Sequence, residues 1–319
     1  MRDRLQRYAS LLGFILLLAA IWILYRQLQV YNLQDIIYQI KALPTSRLLL
    51  ALLLTGLSYV TLSGYDALSL HYIRRPLAYE KMALAAFMSY AFGHNAGMVW
   101  LSSGSVRYRL YLSWGVSTLD TTKVVIVCNL TFWLGFCVLS GSVFIIEPLA
   151  IPAALHLPFT STRPLGILFF AFIGAYLALI SVYRTPLRIR TQQLTLPTPL
   201  FSLAQIGIAA LDLALAGGVL YVLLPPAAGL SCISSLGIFL LAYIAGMISQ
   251  VPGGLGVFET VVLMLLPATI PAPTALGALL AYRAIYYLLP LLFAALGFGL
   301  HEMWLRRSHV AQVVETVRK

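Results

Sequence analysis

Four ionisable residues stand inside long apolar stretches of the chain: Asp66, Asp212, Glu259 and Arg283. In hydrocarbon each charged side chain costs at least ~2.5–3.5 kcal/mol, so such residues pair with one another or face a water-filled path. Two further cations, Arg107 and Arg109, follow the small residues Ser103, Gly104 and Ser105. The planar arginine fork matches phosphate oxygens, and small neighbours let backbone approach an anion. Anchoring at a cytoplasmic surface accounts for the same two arginines equally well. These residue types suggest a polar path in which Arg107, Arg109 and Arg283 hold an anionic headgroup. Asp66, Asp212 and Glu259 then balance the cations, or take a cationic group or a proton. The plain alternative is a set of buried ion pairs that fix helix packing and touch no ligand.

The run Pro252-Gly253-Gly254-Leu255-Gly256-Val257-Phe258-Glu259 must stop one helix and start another. The first amides of the new helix are free donors that favour an anion, with Gly253 and Gly254 beside them. Glu259 falls where a carboxylate is favoured at a helix start, so capping explains it as readily as binding does. A second interruption, Gly93-His94-Asn95-Ala96-Gly97, places His94 and Asn95 where they can satisfy freed backbone groups. Tyr282, Tyr286 and Tyr287 surround Arg283 and either stack on a headgroup or pack. No metal is expected, because the five histidines lack paired spacing and no His-Glu-x-x-His occurs. No Lys-Ser or Lys-Thr follows the glycines, so no nucleotide loop is expected, and no cofactor motif is present. Cys128 and Cys137 lie ~13 Å apart along one predicted helix, too far to bridge. One enzymatic reading remains, an intramembrane aspartyl protease built on Asp66 and Asp212 sharing a proton. It lacks the expected Gly-x-Gly-Asp context, since Asp212 sits in Ala-Ala-Leu-Asp-Leu-Ala.

The elements that must hold these residues follow from composition. Of 319 residues 61% are apolar and 10% charged, against ~25% charged in soluble domains. Leu213 to Phe258 contains no Asp, Glu, Lys or Arg. The chain is therefore an all-α polytopic membrane protein, a single transmembrane domain over 1–319. Spans of the ~20 residues that cross a bilayer are predicted at 8–25, 48–70, 124–146, 165–183, 200–224 and 275–300. The first follows Arg2, Arg4 and Arg7 without a cleavage site, so it reads as a retained helix. Residues 82–101 and 236–270 are apolar but interrupted. If both turn back within the membrane, sixteen Lys and Arg face the cytoplasm and four face out. If both cross, the distribution is eleven to nine. The positive-inside bias therefore favours six full spans, two re-entrant helical hairpins and both termini in the cytoplasm. Broken backbone at membrane depth requires cover from protein or a cavity. Asp66 precedes one break and Asp212 the other, on spans of opposite direction, the pattern of an inverted repeat with a midplane site. The net charge of +11 is read as cytoplasmic loop charge, not as a nucleic-acid surface.

Three runs in this order resemble a known family: Ser105-Val106-Arg107-Tyr108-Arg109-Leu110-Tyr111, Val251-Pro252-Gly253-Gly254-Leu255-Gly256-Val257-Phe258-Glu259 and Tyr282-Arg283-Ala284-Ile285-Tyr286-Tyr287-Leu288-Leu289-Pro290. They are similar to the lysylphosphatidylglycerol synthase transmembrane region, the flippase part of the multiple peptide resistance factor proteins. The resemblance covers nearly the whole chain. It implies a bacterial plasma-membrane protein that moves an anionic or aminoacylated phospholipid, such as a phosphatidylglycerol, between leaflets, with no catalytic residues. In full-length relatives a cytoplasmic domain first aminoacylates the lipid. This chain ends at Lys319, so a stand-alone member is expected, served by a separate lipid aminoacyltransferase or other lipid-modifying enzyme if its lipid is aminoacylated. A non-transporting partner of such an enzyme is the alternative, and homo-oligomer formation stays open.

Overall fold

Each long apolar run among the described residues becomes a helix, since a helix satisfies its own backbone groups where no water can. The computed structural model describes residues 41, 43–96, 99–151, 159–182, 187–189, 192–194 and 197–300. Helix α1 (Thr45–Tyr72) is followed by α2 (Tyr79–Ala96), α3 (Val99–Ser113), α4 (Thr118–Ile146) and α5 (Arg163–Val182). A short antiparallel pair, β1 (Leu187–Ile189) with β2 (Gln192–Leu194), precedes α6 (Pro199–Leu223). Then come α7 (Cys232–Ser249), α8 (Val257–Leu265) and α9 (Ala272–Leu300).

Local signals set several helix starts. Ser117 accepts a hydrogen bond from the Asp120 amide at the head of α4, where Asp120 also complements the helix dipole. Thr198 caps α6 with Pro199 in its first turn. Ser231 and Ser234 exchange capping bonds at the start of α7. At the other end of α6, Arg47 donates to the Leu224 carbonyl, which sets the start of α1 beside the finish of α6.

Among the described residues six helices are long and apolar enough to cross a membrane: α1, α4, α5, α6, α7 and α9. Five of them match expected spans, and the expected span 8–25 lies outside the described residues. The sixth, α7, occupies the first arm of the interrupted stretch 236–270. That stretch is lopsided, with 18 residues in α7 and 9 in α8. Between them Gln250 turns left-handed at φ 57 and Pro252–Gly254 form a single 3-10 turn. In the other interrupted stretch the first helix ends inside the expected interruption, Gly93 to Gly97. Helix α2 runs through Gly93 and His94 to Ala96, and the Asn95 side chain bonds the Ala91 carbonyl one turn back. Arg107 and Arg109, expected after this hairpin, lie on its second helix, α3.

The bundle is organised around α6, which packs on α1, α4, α7 and α9. Helices α4 and α6 touch at Gly135, where an added Cβ would fall 2.2 Å from that of Ala209. Helix α5 buries only Gly166, Ile173 and Ile180, one stripe at seven-residue spacing against α4. Two apolar clusters result. One joins α6, α7, α8 and α9 around Leu220, Phe239, Val262 and Tyr282. The other joins α1, α2, α3 and the end of α9 around Tyr65, Ala86, Leu110 and Phe298. Outward faces carry exposed Leu53, Val60, Phe172 and Val182, as lipid contact allows. The architecture is that of a multi-pass membrane protein.

Candidate functional site

The deepest polar residues gather in three groups at the contacts between α1, α3, α6, α8 and α9. In the first, Arg107 of α3 grips Asp66 of α1 with both arms of its fork. Nε donates to Oδ1 and a terminal nitrogen to Oδ2, each at 2.8 Å. The Tyr111 hydroxyl donates to Oδ1 at 2.6 Å, and the Arg107 guanidinium lies 4.5 Å from the Tyr90 ring centre. Asp66 is 0% and Arg107 1% exposed. Asp66 is thus fully buried six residues before the end of α1, with Arg107 and Tyr111 of α3 on its carboxylate.

The second group closes on the α7–α8 break. Arg283 donates from Nε to Glu259 Oε1 at 2.6 Å and from a second nitrogen to the Gly253 carbonyl. The other oxygen of Glu259 accepts the Gly256 amide at 2.8 Å, so Glu259 caps α8 and pairs with Arg283 at once. Gly254, at φ +62, leaves little space for a side chain, since a Cβ there would sit 3.2 Å from the Gly246 Cα and the backbone would have to give by a few tenths of an ångström. Arg283 opens a π-helical segment, Arg283–Leu288, within α9. That local widening turns Arg283 and Tyr287 toward each other, the guanidinium lying 4.7 Å from the ring centre.

Asp212 of α6 makes the third group. Its oxygens accept the Ser58 hydroxyl at 2.6 Å and the Tyr65 hydroxyl at 3.2 Å. Ser58 also bonds the Tyr286 hydroxyl at 3.0 Å. Ser58, Asp212 and Tyr286 stand near the middle residues of α1, α6 and α9. Asp212 has no ion-pair partner among the described residues.

A cavity of about 270 Å³ opens beside the first and third groups, walled by Asp212, Tyr65, Arg107, Tyr90, Tyr243 and Tyr286 among others. His94, at the end of α2, stacks on Tyr286 with ring centres 5.8 Å apart. Its ring also borders a smaller cavity, about 30 Å³, lined by Gly253, Gly254 and Tyr287. Asn95 bonds the Tyr287 carbonyl at 3.3 Å. The ends of α2 and of the α7–α8 break therefore face each other across the middle of α9.

No family model matches the chain. It is 42% identical over 97% of its length to the uncharacterized protein slr0712 of Synechocystis, 97% of which is covered. It is 33% identical over 80% of its length to the inner membrane protein YbhN of Escherichia coli, again with 80% covered. The chain belongs to the YbhN family. A more distant likeness links this YbhN-family protein to a phosphatidylglycerol lysyltransferase of Staphylococcus aureus, at 25% identity over 85% of this chain and 31% of the relative.

Of the residues singled out in sequence, the YbhN-family fold brings Asp66 to Arg107 and brings Gly253 and Glu259 to Arg283, with Gly254 in the same break. Asp212 and Asn95 converge on the Tyr286–Tyr287 region through separate bonds. Arg109 is buried, on a different side of α3 from Arg107, and is not among the residues lining the larger cavity. Asp66 and Asp212 do not form a shared-proton dyad, because Arg107 and Tyr111 occupy the oxygens of Asp66 while Ser58 and Tyr65 occupy those of Asp212. Sequence reasoning missed Ser58, Tyr65, Tyr90, Tyr111 and Tyr243. Ser58, Tyr65 and Ser69 do carry a signal, a polar stripe at near-heptad spacing on one face of an otherwise apolar α1.

Proposed function

We propose that this protein moves a phospholipid between the leaflets of a bacterial plasma membrane and performs no covalent chemistry. The observation that carries this reading is the cavity at mid-bundle with Arg107 and Asp212 on its wall. Its volume, about 270 Å³, falls just below the ~300–1,000 Å³ of ordinary small-molecule pockets. Such a space holds a headgroup while the acyl chains stay in lipid. The distant likeness to a phosphatidylglycerol lysyltransferase supports an anionic or aminoacylated lipid as cargo.

In this reading α2–α3 and α7–α8 are re-entrant pairs. The contacts of their tips support it, since His94 and Asn95 reach Tyr286 and Tyr287, and Gly253 reaches Arg283, all in the middle third of α9. The pairs also come from opposite ends of the bundle. Tyr79 at the start of α2 touches Ser63 in the second half of α1, whose Ser69 meets Cys128 in the first half of α4. Ser231 at the start of α7 meets Glu147 at the far end of α4. Opposite approach is what an inverted repeat produces. Arg107 then offers its outer donors to a lipid phosphate, and Arg283 holds the second tip in place through the Gly253 carbonyl.

Leaflet exchange in reconstituted liposomes tests the proposal. A fluorescent phosphatidylglycerol is bleached from outside with an impermeant reductant, comparing wild type with Arg283→Ala. Bleaching beyond the outer-leaflet half for wild type alone is the expected result. Equal protection in both, across anionic and aminoacylated lipids, would overturn it.

A further inference from the structure

Arg107 and Arg283 each have a carboxylate of their own, whereas Asp212 stands at mid-depth with hydroxyl groups only. An ionised carboxylate there is costly, and the cost disappears if the group takes up a proton. We propose that Asp212 binds and releases a proton from the cavity, and that this proton is coupled to the movement of the lipid headgroup. The second half of that statement rests on the translocase reading; the first does not.

The geometry suits both protonation states without moving a heavy atom. As drawn, Ser58 donates to Asp212 Oδ1 at 2.6 Å, so the hydroxyl of Tyr286, 3.0 Å away, donates to Ser58. Placing a proton on Oδ1 reverses the chain: the carboxyl donates to Ser58, and Ser58 donates to Tyr286. Hydroxyls can rotate between the two roles, which lysine or arginine partners cannot do. Tyr65 donates to the other oxygen in either state. The proton comes from cavity water and returns to it, with no bond to carbon made or broken.

The other groups around Asp212 fit this role. Helix α2 contributes Tyr90 and His94, α3 contributes Arg107, α4 contributes Cys128, and α7 contributes Tyr243. Arg107 is already committed to Asp66 through two bonds. His94 stacks on Tyr286, borders both cavities, and its Nδ1 has no hydrogen-bond partner among the described residues. It therefore stands where a change in the Tyr286 hydroxyl is passed to the tip of α2. Coupling follows if an occupied cavity favours one orientation of the Ser58–Tyr286 chain.

Infrared difference spectroscopy of the full chain in phosphatidylglycerol–phosphatidylethanolamine vesicles, titrated with pH, reads the proton directly. Wild type should show a protonated-carboxyl stretch that Asp212→Asn lacks and that Ser58→Ala shifts. An identical band in Asp212→Asn, or no band in wild type, overturns the site. If Asp212→Asn does not fold, an unshifted band in Ser58→Ala overturns it instead. Lipid exchange is then measured under imposed pH differences of either sign. The wild-type rate should change by up to about tenfold per pH unit, the limit for one proton, and Asp212→Asn should be indifferent. Exchange that ignores the gradient in wild type sinks the coupling and leaves the translocase. A titrating band with no exchange of any lipid sinks the translocase and leaves the proton site.

Discussion

Arg107 and Asp66 are 41 residues apart and meet with almost no solvent access. A buried pair of this kind adds little relative to an apolar pair of equal shape, but losing one partner strands the other, at ~3–5 kcal/mol. Arg107→Ala and Asp66→Ala should each lower thermal stability by that order, while the double replacement Asp66→Leu with Arg107→Met should recover most of it. Thermal unfolding in detergent checks this, and equal losses in all three variants would show that the pair contributes packing rather than charge balance. Leaflet exchange by the double variant separates structure from function, because a fold restored without transport is expected if Arg107 contacts the lipid. The four intramembrane charges were legible in sequence because hydrocarbon makes any charge conspicuous. Their pairing was not, since nothing in the local sequence of Asp66 distinguishes Arg107 from Arg109 as its partner. The three-dimensional path of α3 decides it: two residues apart on a helix means nearly opposite sides.

Two interruptions give the helices their special shapes, and each has a different cause. At Gly254 the backbone is left-handed and pressed against Gly246. Gly254→Ala should cost about 1–3 kcal/mol, the range for strain at such positions, and loosen the tip that Arg283 holds. Stability measured beside Gly256→Ala makes the test. Gly256 meets nothing within 4 Å, but its φ 81 and ψ −43 are strained for any residue with a side chain, so backbone strain alone should give a loss of similar size there. The π-helical segment of α9 is the other device. Its extra residue per turn sets the directions of Arg283, Tyr286 and Tyr287, all buried. Deleting Ala284 should let this segment relax to an ordinary α-helix, keeping the fold but abolishing lipid exchange. Circular dichroism with the liposome assay reads both. The Pro-Gly-Gly break was visible in sequence because proline and glycine announce themselves. Of the other interruption, Gly93 to Gly97, all but the last residue lies in the final turn of α2, where the Asn95 side chain bonds back to the Ala91 carbonyl. The π segment leaves no mark in composition and was invisible.

At the scale of the whole molecule, spans were easier to find than their directions. Five long helices were read from apolar length alone, whereas the arrangement of α7 and α8 follows from packing that no window of sequence contains. Single cysteines test the resulting arrangement on a background with Cys128, Cys137 and Cys232 replaced. Cysteines at the exposed positions Tyr79 and Thr118 should react from one side of the membrane, and a cysteine at the exposed position Ala228 from the other. Reaction of Tyr79→Cys and Thr118→Cys from different sides would mean that α2 and α3 together make a crossing.

The separate neutralisation of Arg107 and Arg283 has an electrical consequence. A pair such as Arg107–Asp66 or Arg283–Glu259 moves as a dipole of no net charge, so a transmembrane voltage exerts no net force on it. Asp212 is different. Carrying one elementary charge fully across the membrane is worth ~2.3 kcal/mol per 100 mV, and a proton arriving at the midplane traverses about half of that drop. Voltage alone would thus alter proton occupancy at Asp212 by roughly sevenfold per 100 mV, and would leave these two ion pairs indifferent.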